Sequence, residues 1–197
     1  MFYRFAWFIM RTFFTLLGLR MENVHNLPEK GAAIVVANHV SNWDPIVVAI
    51  SFKRPIYFMA KAELFENSFL ARILTMLNAF PVKRGSADRA AIKNALKVLE
   101  KGQILGIFPE GQRNKTGEDL EAQSGAAMLA LKTGVPVVPV ACIGTDRKLP
   151  IGWLKPLKVK VGKPMFLEEF KGQKINSLML KEVSEQIMYE INLLLQK

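Results

Sequence analysis

At 197 residues the chain can bury one full hydrophobic core, and the usual span of about 100 to 200 residues per domain implies a single domain. Half of its residues are apolar and the mean hydropathy is +0.16, yet no uninterrupted apolar run nears the ~18 residues of a membrane span, which favours surface association over integration. A net charge of +10 suits anionic lipid, nucleic acid or acidic protein as partner, while one cysteine (Cys142) excludes an internal disulfide framework and, with only His25 and His39, speaks against a zinc cluster.

The opening segment, MFYRFAWFIMRTFFTLLGLR, is dense in Phe, Trp and Leu. Projected at 100° per residue, Arg4, Arg11 and Thr15 fall near one line, a narrow polar stripe on an apolar helix. No convincing small-residue cleavage site follows, so a retained helix is expected rather than a signal peptide. It either lies in a membrane interface, with arginines at lipid phosphates and aromatics among the acyl chains, or packs on the protein's own core. The interface reading sets residues 1–22 apart from an α/β domain over 23–197.

After the turn signals of NLPEKG, AAIVVA reads as a buried strand, and DPIVVAISF as a short helix opened by Asp44 and Pro45. IYFMA is a second strand. NSFLARILTMLNAF has helical spacing in Leu70, Ile73, Leu74 and Leu77. SADRAAIKNALKVLEKG is a cleaner helix, with Ser86 as cap and Gly102 as stop. QILGIF is a strand, SGAAMLALKTG a small-residue helix, and VPVVPVA a further strand. KPLKVKVGKPM has the period of two of a half-exposed strand, and Val183, Ile187, Ile191 and Leu194 mark a terminal amphipathic helix. The alternation implies an α/β fold, a mixed β-sheet flanked by helices, behind the N-terminal amphipathic helix.

Three polar clusters interrupt this pattern. In VVANHVSNWDPIVVAI, His39 and Asp44 stand five residues apart, which on a continuous helix would turn them about 140° from each other. They meet only if the chain turns between them, as a strand ending near Ala37 and a helix starting at Pro45 would allow. A carboxylate there can fix the ring tautomer and stabilise an imidazolium; equally, Asp44 can be a plain helix cap and His39 a loop histidine. In NAFPVKRGSADR, Arg84 is either a bidentate phosphate clamp or, with Lys83, a solvated charge pair. In ILGIFPEGQRNKTG a buried strand runs into Glu110, Gly111 and Arg113, and ends of α/β strands are where ligands bind. Gly111 permits close backbone approach, and Arg113 with Lys115 supplies positive charge. Glu110 either orients an arginine, accepts a bond from a hydroxyl, or is an exposed turn residue.

Together these stretches resemble the glycerolipid acyltransferases related to 1-acylglycerol-3-phosphate acyltransferase. That family's NHxSxxD block is matched by Asn38, His39, Ser41 and Asp44; a block ending in arginine by FPVKRG; FPEGxRS by FPEGQRN; and VPVxPV by VPVVPV. The similarity runs in order from about Gly31 to Pro164. Gln112, Asn114 and Gln123 depart from it, the last where a basic residue often stands.

The resemblance implies that His39 is a general base oriented by Asp44. It moves an acyl group from a thioester of acyl carrier protein or coenzyme A to the free hydroxyl of lysophosphatidic acid, with no metal or other cofactor. Glycerol 3-phosphate, another lysophospholipid or a lyso-aminolipid are alternative acceptors. By the same resemblance Arg84, Glu110, Gly111 and Arg113 bind the acceptor; the oxyanion that forms needs donors as well, for which loop amides or Lys61 are candidates. The basic surface would meet anionic lipid at the cytoplasmic face of the membrane, peripherally or monotopically. Nucleic acid is not an expected partner, because no motif interleaves basic and exposed aromatic residues. A noncatalytic membrane-surface protein would explain the charge and the N-terminus, but not four ordered blocks.

Overall fold

A computed structural model describes residues 1–83, 88–114, 122–149 and 151–196. Seven strands form one sheet in the order β1-β7-β6-β2-β5-β3-β4. They are β1 (Arg20–Glu22), β2 (Ala33–Ala37), β3 (Ile56–Lys61), β4 (Ala79–Val82), β5 (Ile104–Ile107), β6 (Val137–Ile143) and β7 (Lys158–Val161). Strands β2 to β6 run parallel, while β7 is antiparallel to β6 and carries β1 parallel to itself, giving the mixed sheet expected.

Central β2 is buried along its whole length, the pattern of a parallel strand covered on both faces. Its side chains alternate. Val35 and Ala37 pack toward α1 (Phe2–Leu16) and α2 (Asp44–Ser51), among Phe14, Val47 and Ile50. Ile34 and Val36 pack toward α4 (Arg89–Glu100), α5 (Gly125–Thr133) and α6 (Ser177–Gln196), among Leu99, Ala126 and Ile187. The remaining helix, α3 (Ser68–Met76), lies beside β4 and buries none of its residues.

Local chemistry explains most element ends. Asp88 caps α4, its carboxylate accepting from Ala90 N and Ala91 N at 3.0 and 3.1 Å; the expected cap, Ser86, lies outside the described residues. Asn67 caps α3, and Asn78 at φ 63° turns the chain into β4, so the helical pattern does not continue through Leu77. Gly134 ends α5 at φ 66°. Strand β7 is buried from Val159 to Val161 rather than half exposed, with Val159 and Val161 in the core cluster that holds Phe14, and with Lys160 buried on the opposite face.

Helix α1 shows one face to the protein and another to solvent. Phe14 is fully buried, Trp7 donates its indole N–H to Phe52 O at 2.8 Å, and Arg11 donates to Ile50 O and stacks over Trp7. Arg11 therefore points inward, not toward lipid phosphates, and Trp7 and Phe14 leave the outer aromatic set. Phe2, Phe5, Phe8, Ile9, Phe13 and Leu16 remain exposed. No helix among the described residues is long and apolar enough to cross a membrane.

Candidate active site

The parallel strands β6, β2 and β5 are neighbours, so their carboxyl ends open on one edge of the sheet. Ligands bind at such edges because the loops there converge while the strands beneath stay rigid. His39 leaves the end of β2, Phe108 and Glu110 follow β5, and Thr145 follows β6. Asn38 locks two of these ends together: its side chain donates to Cys142 O at 3.0 Å and accepts from Cys142 N at 2.7 Å.

His39 and Asp44 meet as the turn between strand and helix allows, with Nδ1 3.0 Å from Oδ2. Asp44 is the first residue of α2 and does not cap it; its carboxylate reaches back across the loop instead. Oδ2 also accepts from Val40 N and Ser41 N, each at 2.7 Å, and Oδ1 accepts from the Thr145 hydroxyl. Asp44 is 0% exposed, so four donors replace the water it has lost. An Asp44 carboxylate among donors fixes the proton of His39 on Nδ1 and leaves Nε2 as the ring nitrogen able to accept another.

Phe108 stacks on the imidazole with centroids 4.2 Å apart, and Phe58 stacks behind Phe108 at 5.9 Å. Phe58 in turn lies over Gly106, where any Cβ would collide with its ring. The glycine inside ILGIF is thus a packing requirement of the aromatic wall.

Glu110 is buried rather than an exposed turn residue. Oε1 accepts the His39 backbone N–H at 3.3 Å, while Oε2 is buried with no partner among the described residues. Burial pushes its carboxyl above the usual glutamate range, opposed by the bond from His39 N. Gly111 adopts φ 68°, and its N–H closes the turn onto Phe108 O at 3.0 Å. That turn is pinned by Asn114 N to His39 O and Gln123 N to Pro109 O.

His39 forms part of the wall of a cavity of about 630 Å³, floored by Trp7, Met10, Ile46 and Ala49 from α1 and α2 and by Phe58 and Leu74 across from them. Lys61 and Arg113 supply its cationic lining. Lys61 is also paired with Glu63 at 3.0 Å in an exposed bridge. The structure thus lines one space with His39, Lys61 and Arg113, and sets Asp44 and Glu110 against His39 behind it, with Gly111 in the turn after Glu110; Arg84 and Lys115 lie outside the described residues. An apolar cavity with a buried imidazole–carboxylate pair on its wall and cations in its lining suits an amphipathic molecule with an anionic end. Thr145 was not singled out from sequence, though polar residues just beyond a buried strand were the signal that marked the other two loops.

The family model described as Acyltransferase matches residues 18–143. The 1-acyl-sn-glycerol-3-phosphate acyltransferase of Bacillus subtilis is 33% identical over 155 residues, 78% of this chain and 76% of that one. The protein of the same name from Borreliella burgdorferi is 34% identical over 123 residues, 61% of this chain and 49% of that one. The crystal structure of the 1-acyl-sn-glycerophosphate (LPA) acyltransferase PlsC from Thermotoga maritima superposes with a TM-score of 0.72 at 29% identity, covering 98% of this chain and 80% of that one.

Proposed function

The chain belongs to the acyltransferase family, and from that premise we propose that it esterifies the free hydroxyl of 1-acylglycerol 3-phosphate with an acyl group from a thioester of acyl carrier protein or coenzyme A, giving phosphatidic acid. His39 Nε2 takes the hydroxyl proton as the oxygen attacks the thioester carbonyl carbon. The resulting oxyanion collapses, the C–S bond breaks, and Nε2 returns the proton to the leaving sulfur, so free thiol appears with each ester formed. Asp44 stabilises the imidazolium that exists between these two transfers. A thioester is already activated, so neither a covalent acyl-enzyme nor a metal is called for, and a positioned base contributes ~10² to 10⁴ in rate.

The roles of the other residues follow from where they stand. Val40 N and Ser41 N are spent on Asp44, and His39 N on Glu110, so these loop amides do not serve the oxyanion. Lys61 and Arg113 are the cations that can meet the oxyanion and the acceptor phosphate, with Arg84 assigned to the phosphate by its motif alone. Glu110, through Oε1 on the His39 backbone N–H, holds the loop that carries the base. The apolar cavity holds acyl chain. The exposed apolar face of α1 and the net charge of +10 suit peripheral attachment to anionic lipid.

The observation that carries this reading is His39 on the wall of an apolar cavity with Nδ1 already committed to Asp44. Thiol release from acyl thioester with lysophosphatidic acid tests it. The parent should release thiol only when the acceptor is present, and purified, folded His39→Ala should lose ~10² to 10⁴ in turnover. Near-parental turnover in that variant would remove His39 from the chemistry.

A further inference from the structure

The loop that follows β6 carries two large apolar side chains in the open, Trp153 at 74% and Leu154 at 80% exposure. The loop is firmly built. Gly152 N donates to Leu17 O and the Trp153 indole N–H to Leu16 O, both at 2.6 Å, while Arg147 donates to Ile151 O at 3.1 Å and Pro156 O at 2.8 Å. Gly152 and Gly18 pack so closely that a Cβ at either would strike the other's backbone. Trp153 is thereby fixed just past the C-terminal end of α1, next to Leu16, the last exposed apolar residue of that helix.

Beneath Trp153 and Leu154 lies a separate cavity of about 190 Å³, lined also by Arg20, Lys155 and Lys158. Lys158 is paired with Glu22 at 3.1 Å, whereas Arg20 and Lys155 have no acidic partner among the described residues. The space is smaller than the ~300 Å³ at which pockets for whole small molecules begin. It has positive charge and room for a headgroup, and an apolar ridge at its rim for the chains that such a headgroup carries.

We propose that this cavity is a headgroup site for an anionic phospholipid of the bilayer surface, with Arg20 and Lys155 on the phosphate and Trp153 and Leu154 inserted beside it. The proposal rests on the membrane attachment proposed above and adds a second attachment point, remote in sequence from the apolar face of α1. Tryptophan favours the boundary between headgroups and chains, and cations near an anionic surface add to binding one by one. With α1 and this loop joined backbone to backbone, both would contact one bilayer as a single rigid surface.

The test is cosedimentation of the full chain with vesicles of phosphatidylcholine alone and of phosphatidylcholine with phosphatidylglycerol in equal parts. Arg20→Gln/Lys155→Gln should bind the mixed vesicles ~30-fold more weakly, about fivefold per charge, with little change on phosphatidylcholine alone. Trp153→Ser/Leu154→Ser should weaken binding to both. Both variants replace exposed residues outside the catalytic machinery, so their turnover on a detergent-dispersed acceptor should match the parent; the melting temperature should also match for the Gln variant and fall only modestly for the Ser variant, which loses the bond to Leu16 O. Parental affinity of the Gln variant for mixed vesicles would overturn the headgroup site while leaving membrane attachment intact. Binding of inorganic phosphate that Arg20→Gln/Lys155→Gln abolishes, together with parental affinity of that variant for mixed vesicles, would overturn it in favour of a free-phosphate site. Failure of the parent to bind either vesicle would overturn both readings.

Discussion

Asp44→Asn separates what this carboxylate does by charge from what it does by shape. Three donors converge on Oδ2 and the Thr145 hydroxyl donates to Oδ1. An asparagine can keep its carbonyl toward His39, Val40 and Ser41 and turn its NH₂ to Thr145, whose hydroxyl rotates to accept. Packing and the His39 tautomer then survive, and only the negative charge is lost. Opposite charges about 4 Å apart interact by about 4 kcal/mol at an effective dielectric near 20, which caps the rate loss at ~10³. Thr145→Val removes the acceptor that this arrangement needs. In that background the NH₂ is buried without an acceptor, and it cannot turn toward Nδ1 without facing the Val40 and Ser41 N–H donors, so the side chain's hold on the ring loosens as well as losing its charge. The single Asp44→Asn variant should therefore lose ~10² to 10³ in kcat, and the double variant should lose more than the product of the two single losses. The assay is steady-state thiol release on purified variants, with circular dichroism to check folding. If Thr145→Val has the same effect in both backgrounds to within about twofold, the two residues are not coupled and the reasoning fails.

Three further outcomes follow from the site. Burial raises the Glu110 carboxyl, so the folded state holds its proton more tightly than the unfolded state; stability should fall as pH rises from the ordinary glutamate range through the raised value, and thermal melts of Glu110→Gln should lack that decline. Arg113→Ala should raise the KM for a phosphorylated acceptor by roughly 10-fold or more with a smaller change in kcat, the mark of a contact made equally in ground and transition states. A dephosphorylated acceptor should lose its disadvantage in the same variant, and unchanged discrimination would place the phosphate elsewhere. Asn38→Leu strands the buried N–H and C=O of Cys142 and should cost about 2 to 5 kcal/mol in urea denaturation, whereas a cost near zero would mean the two strand ends hold together without the clamp.

Much of this architecture was legible because it rests on local signals. Uninterrupted apolar runs bounded by turns marked β2, β5 and β6, and the polar residues at the ends of β2 and β5 marked the site. The orientation of side chains was less legible. The projection of α1 found the line of Arg4, Arg11 and Thr15, but apolar residues flank it on both sides, so the helical wheel could not say that Trp7 and Phe14 turn inward. For Glu110 the sequence leaves three roles open, and nothing local indicates that its backbone neighbour is His39, 71 residues earlier. Strand β1, at three residues, is too short for any periodicity, and its partner β7 lies far along the chain at residues 158–160. Thr145 owes its importance wholly to a contact 101 residues away.

Those separations also govern when the site comes into being. Central β2 is made early, but its neighbour β6, which brings Cys142 to Asn38 and Thr145 to Asp44, follows more than 100 residues later. At a synthesis rate of about 5 to 20 residues per second, the strand that will be the middle of the sheet waits ~5 to 20 s for one of its two flanks. During that interval Asp44 lacks one of its donors and Asn38 lacks both of its bonds. The aromatic helix α1 meanwhile emerges ahead of both α2 and the loop around Gly152 that later receive it. A chain still being translated can therefore expose its greasiest segment before the rest of the fold exists, and becomes catalytically competent only when β6 docks.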